Sequence, residues 1–166
     1  KWGIDAVHGL ISTERDLGWS PDPLLRLMAM IPPRFERVAE LALRLKLSNS
    51  ECERLENWAA AFLPPHERDS HAFARELYWA KREGVSDRLR LALADARAKA
   101  IQDDREMMRA AGYSRLLEFT QSWERPAFPV SGAHLIAAGM KSGPELGARL
   151  KALEEKWVAS DFSPTA

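Results

Sequence analysis

The chain has 166 residues, with 24 Lys+Arg against 24 Asp+Glu, so no global field draws it onto nucleic acid or membrane. A polyanionic partner has to be met by a local patch. The single cysteine, Cys52, excludes an intrachain disulfide and suits a reducing compartment, the cytoplasm being expected. No apolar run approaches the roughly 20 residues that span a bilayer, and no secretory signal opens the chain.

Strand alternation is nearly absent, and the pattern predicts an all-α fold of about eight or nine short helices in an irregular array. The length suits one domain, or two small ones sharing a core. A first helix is predicted over Ile4 to Asp16, with Val7, Leu10 and Ile11 on one side. Asp22 is placed to cap a second, with Pro23 in its first turn, and Pro32-Pro33 ends it. A third spans Arg34 to Lys46, its inward stripe being Val38, Leu41, Ala42 and Leu45.

Ser48-Asn49-Ser50-Glu51 reads as a capping box starting a fourth helix, whose Cys52, Leu55, Ala59 and Phe62 face inward until Pro64-Pro65. Asp69 caps a fifth helix to about Glu83, which Gly84 closes. A long helix then starts near Ser86 with the stripe Leu89, Leu93, Ala96, Ala100, and bends at Asp103-Asp104 before Gly112. Another covers Ser114 to Trp123. Pro126 and Pro129 mark an extended link into a closing helix pair, in whose last member Leu146, Leu150, Leu153 and Trp157 form a stripe.

Catalytic chemistry is hard to find in these residues. In HERDSH, His66 and His71 are five apart and diverge by about 140° around a helix, too far to share a metal. His8 and His134 lack companion ligands. Glu51 and Glu53 are half explained by capping, and the adjacent Asp103 and Asp104 point about 100° apart, a poor clamp for Mg²⁺. No phosphate loop or nucleophile elbow occurs, and Cys52 sits on an apolar stripe away from cations.

The segment GMKSGP, residues 139 to 144, is different. Gly139 suits the left-handed position that ends a helix, Ser142 and Glu145 are spaced as a second capping box, and Pro144 suits a first turn. Helix-start amides beside Lys141 make a place for a phosphate, and Gly147 would let another backbone approach. A hairpin packed for stability alone fits the same residues. Arg82, Arg90 and Arg97 add a candidate phosphate-tracking stripe, Arg90 and Arg97 being seven apart on one face. A solvated face laced with ion pairs fits them too.

The two ends of the chain also resemble a family. FPVSGAHLIAAGMKSGPELGARLKALEEKWVASDF is similar to the closing segment of bacterial CCA-adding enzymes and the related poly(A) polymerases. The pattern there is a Gly, an Asp-Leu pair, a Gly, then Pro-Gly-Pro, an apolar residue and Gly. GIDAVHGLISTERDLGWSPDPLLRLMAMIPP, followed by LRLKLSNSECERL, resembles the helical region after that family's catalytic head and neck. The likeness is loose from about 64 to 125. Two positions depart: His134 stands for the family's Asp and Ser142 for its first Pro.

The resemblance implies a body and tail without the head and neck. The head's Gly-Ser element and paired aspartates, and the neck's Glu-Asp-x-x-Arg motif, are missing from the sequence, as expected of a fragment starting at Lys1 downstream of both. Mg²⁺ and CTP or ATP belong to that missing head, so no cofactor is expected here. The implied partners are tRNA or another RNA and the parent's own head and neck. Residues 1-62 would be body-type RNA-binding helices, 63-125 middle helices of the same unit, and 126-166 the tail hairpin. Lys141, Gly143 and Gly147 carry over as backbone-approach positions. Arg26 would be a buried structural arginine or an RNA contact. From another class, six tryptophans suit a helical protein–protein module that dimerises through exposed indoles.

Overall fold

The computed structural model describes residues 2–163. Among them are nine helices and no strand: α1 Ile4–Leu17, α2 Pro23–Met30, α3 Phe35–Arg44, α4 Asn49–Ala60, α5 Ser70–Trp79, α6 Arg82–Ala100, α7 Asp104–Ser122, α8 Gly132–Ala137 and α9 Pro144–Ala159. The fold is all-α, as the sequence predicts.

Local chemistry sets most helix starts. The Asp22 carboxylate accepts from the Leu24 and Leu25 amides at 3.0 and 3.1 Å, with Pro23 in the first turn. Ser48 and Glu51 form the reciprocal box: the Ser48 amide donates to Glu51 at 2.8 Å and the Glu51 amide to the Ser48 hydroxyl at 3.4 Å. Asp69 caps α5 through the Ala72 amide at 3.0 Å, and Asp103 caps α7 through the Arg105 amide at 2.9 Å. Each carboxylate or hydroxyl satisfies a donor that the helix leaves unpaired.

Helix α6 is the shared wall of two apolar cores. On one side Leu10, Leu25, Met28, Val38, Leu55 and Trp58 from α1–α4 pack together with Ala94. On the other, Val85, Leu89, Leu93 and Ala96 meet Phe73 and Leu77 of α5 and Tyr113, Leu116 and Leu117 of α7. Two predicted breaks are contacts instead. Gly84 lies in the first turn of α6, not after the end of α5, and a Cβ there would stand 2.3 Å from the Asn57 carbonyl oxygen of α4. Gly112 lies inside α7, where a Cβ would stand 2.4 Å from the His66 carbonyl oxygen. In both places glycine allows a neighbouring backbone to approach; α5 stops earlier, where Ala80 turns extended, and α7 runs unbroken from Asp104.

Charges distant in sequence tie α1, α2, α4 and α6 together. Arg54 of α4 donates through Nε and Nη2 to Asp87 of α6 at 2.8 and 2.9 Å, and through Nη2 to Asp22 at 2.6 Å. Asp87 is almost wholly buried, so Arg54 is its counter-charge as well as its donor. Buried Glu14 is held by Arg26 at 2.6 Å, which makes Arg26 a structural arginine. Leu45 departs from its predicted stripe: it lies just past α3 and is half exposed.

The closing helix docks through its C-terminal end. Trp157 and Val158 are buried against Tyr78 of α5, with Phe128 and Phe162 around them. The Tyr78 hydroxyl donates to Glu154 at 2.5 Å. Ring centroids lie 5.8 Å apart for Tyr78–Trp157 and 5.1 Å for Trp157–Phe162, favourable edge-on geometry. Asp161 and Phe162 both adopt left-handed backbone, which costs a non-glycine residue about 1–2 kcal/mol. Aromatic packing on Phe162 and the ion pair of Asp161 with Arg75 offset that cost.

Candidate nucleic-acid interface

The hairpin of α8 and α9 presents the segment singled out in the sequence. Gly139 has φ +94°, the left-handed turn expected after α8. Lys141, Ser142, Gly143 and Gly147 are all exposed, and open space surrounds the Cα of Gly147. The predicted Ser142–Glu145 box does not form. The N-cap is Gly143, one residue later, and no side chain caps α9. Pro144 explains the shift: proline at the first helical position forces the residue before it into extended backbone, which makes that residue the cap. Pro144 has no N–H and the Leu146 amide donates to the Gly143 carbonyl at 3.1 Å, so the Glu145 amide is the first-turn donor left without a side-chain cap near Lys141.

His134 has a local role. Its Nδ1 accepts the Ser131 amide at 3.2 Å, the return half of a capping box at the start of α8. A carboxylate at that position could accept the same amide, so the change from Asp to His keeps the helix start.

The α6 arginines are not gathered at this hairpin, and each has an intramolecular partner. Arg82 donates to the Trp123 carbonyl at 3.0 Å. Arg90 stacks over the Trp19 ring, 5.8 Å from its centroid, and lies 3.8 Å from Asp87. Arg97 pairs with Asp16 at 3.0 Å. Among the described residues, no group of three or more His, Cys, Asp or Glu side chains is placed to hold a metal ion. His66 pairs with Glu67 at 2.8 Å, and His71 stands 3.9 Å from Asp161. Cys52 is half-buried and directs its thiol toward the Leu47 carbonyl. No helix among the described residues is long and apolar enough to cross a membrane.

Sequence reasoning missed the Arg54–Asp87–Asp22 triad and a walled cleft beside Arg88. Both join residues far apart in the chain, which local patterns do not connect.

The arrangement is that of a helical scaffold with one exposed, uncapped helix start beside a lysine. Comparison with known proteins narrows the class. Over 147 residues, 87% of this chain and 31% of the relative, the chain is 30% identical to the CCA tRNA nucleotidyltransferase 1, mitochondrial, of Mus musculus. Over 57 residues it is 40% identical to the protein of that name from Homo sapiens and 37% identical to that from Danio rerio, 34% of this chain and 13% of each relative being covered. These matches support the tRNA nucleotidyltransferase family, without singling out its bacterial branch or the C-terminal region of such an enzyme. The chain spans less than a third of the length of these relatives. No protein-family model matches it.

Proposed function

We propose that this chain is the C-terminal tRNA-binding arm of a tRNA nucleotidyltransferase, of the CCA-adding or poly(A)-polymerase kind, and that it holds RNA through backbone phosphates while a separate head performs the chemistry. The observation that carries the reading is the hairpin at 139–147: an uncapped start of a 16-residue helix, an exposed lysine, and exposed glycines that leave room for a sugar-phosphate chain. Similarity to CCA tRNA nucleotidyltransferases over most of the chain supports it. A-form RNA suits such a grip, because its deep major groove is closed to side chains and it is held by shape and phosphate contacts.

In this reading residues 1-62 are body helices, 63-125 join them to the tail, and 126-166 are the gripping hairpin, whose last three residues lie outside the described structure. Ser142, next to Lys141, offers a hydroxyl to a phosphate. Arg82, Arg90 and Arg97 are the weaker part of the surface, because a phosphate would compete there with Trp123, Trp19 and Asp16. Mg²⁺ and CTP or ATP act on the head, and the chain alone adds no nucleotide. The location in this reading is cytoplasmic, whereas the matched relatives carry "mitochondrial" in their names.

The test is tRNA binding by the chain across a salt series. Affinity should fall steeply as salt rises, and Lys141→Glu should weaken binding uniformly across tRNA sequences while reducing the slope of log K against log salt by about one. Salt-independent association, or self-association through the exposed Trp2 and Trp79, would favour the protein–protein module instead.

A further inference from the structure

A cleft of about 650 Å³ opens along α6, between α1 on one side and the α4–α5 link and α7 on the other. That volume lies in the range of small-molecule sites. Its walls are made by small and apolar side chains, among them Ala6, Gly9, Leu91 and Ala98. Charged side chains line it too: Asp5, Asp95 with its partner Lys99, and Arg109, which Glu106 holds.

One lining residue carries a buried donor without an acceptor, and a second carries a charge without a carboxylate. The Trp58 side chain is fully buried, and its indole N–H has no hydrogen-bond partner. Leaving such a donor unpaired costs about 1–3 kcal/mol. Arg88 sits over the same ring, its guanidinium carbon 5.8 Å from the ring centroid. Its Nε donates to the Ala61 carbonyl at 3.1 Å, and among the described residues no carboxylate pairs with it. Burial lowers its pKa with nothing offsetting the effect. Arg26, Arg54 and Arg109 contrast with it, each holding a carboxylate. Folding has placed a partly desolvated cation and a buried N–H side by side against an apolar cleft.

We infer that this cleft binds a small organic anion, an apolar ring system bearing a carboxylate or phosphate, with the anionic oxygens on Arg88 and the ring against Leu91, Ala98 and the Trp58 side. The anion would supply the counter-charge that Arg88 lacks, and the walls would desolvate the ring, whose seat beside the buried Trp58 indole makes that N–H a reporter rather than a contact. The inference does not depend on the RNA reading, because the cleft and the 139–147 hairpin share no residue.

The test uses the ¹⁵N-labelled chain and the Trp58 indole N–H signal, assigned with Trp58→Phe. Three probes share one ring system: 2-naphthoate, 2-naphthyl phosphate and the neutral 2-naphthalenemethanol. A saturable shift is expected with the anions, the tighter of the two identifying the headgroup. The neutral alcohol should bind at least about tenfold more weakly, and Arg88→Met should weaken the anions by a similar factor. Equal binding of the alcohol, an Arg88→Met chain of unchanged affinity, or a Trp58 signal unmoved by millimolar anion would each overturn the proposal. If Arg88→Met does not fold, the anion-to-alcohol ratio on the native chain decides alone.

Discussion

Consider a methyl group added at Gly84. On an exposed helix, alanine in place of glycine stabilises by up to about 1 kcal/mol, because glycine loses more backbone freedom on folding. At Gly84 the new Cβ would lie 2.3 Å from the Asn57 oxygen and 2.6 Å from its carbonyl carbon. Both obstacles are backbone of another helix, so no rotamer change relieves the clash. Reaching an ordinary C···O separation requires α4 and α6 to part by about 1 Å. The same movement strains the Arg54–Asp87 pair, which crosses this interface at 2.8 Å. Overpacking of this kind costs about 1–3 kcal/mol, and disturbing the buried pair adds to it. We expect Gly84→Ala to lose about 2–4 kcal/mol, or about 5–15 °C in Tm for a chain of this size. Urea and thermal denaturation followed by circular dichroism would measure it. The control is Gly147→Ala, also within a helix but with nothing near its Cα, which should match or exceed the parent in stability. A Gly84→Ala chain as stable as the parent would refute the close approach of α4 and α6.

Other expectations follow from the ion pairs and the aromatic dock. Arg54→Met should destabilise by about 3–5 kcal/mol in urea titration, because it leaves Asp87 charged, buried and unpaired. Burial alone would raise the Asp22 pKa, but hydrogen bonds from Arg54 and the Leu25 and Leu24 amides outweigh it and hold the carboxyl below its usual 3.8. Its contribution is therefore complete above about pH 4 and is lost as pH falls through the lower folded value. An acid titration of urea midpoints should show that limb, and Asp22→Asn should flatten it. Trp157→Ala should release α9 from Tyr78 and expose α8 and α9 to fast amide exchange while α1–α7 stay protected.

The parts of this fold legible in the sequence are those written in adjacent residues. Asp22, Ser48 and Asp69 cap helices because a short polar side chain reaches amides two or three positions on, and that geometry is local. Gly84 and Gly112 misled because glycine has two uses, ending a helix and admitting a neighbour, and only the packed structure distinguishes them. Ser142 failed as a cap for a reason the sequence did contain: Pro144 fixes its predecessor as the cap. The Arg54 triad was invisible because its members are 32 and 33 residues apart. The hairpin at 139–147 was legible as an exposed turn beside a lysine. Arg88 was not legible at all, since nothing nearby in the chain announces that it lacks a carboxylate.

The dock of α9 at Trp157 leaves its first turns projecting. From Trp157 back to Pro144 the helix extends about 20 Å, so a tilt of about 10° at the aromatic rivet sweeps the Lys141 end through roughly 3 Å. The hairpin behaves as a lever with its fulcrum in Tyr78, Trp157 and Phe162, and where its tip comes to rest is set by rings that the tip itself never touches.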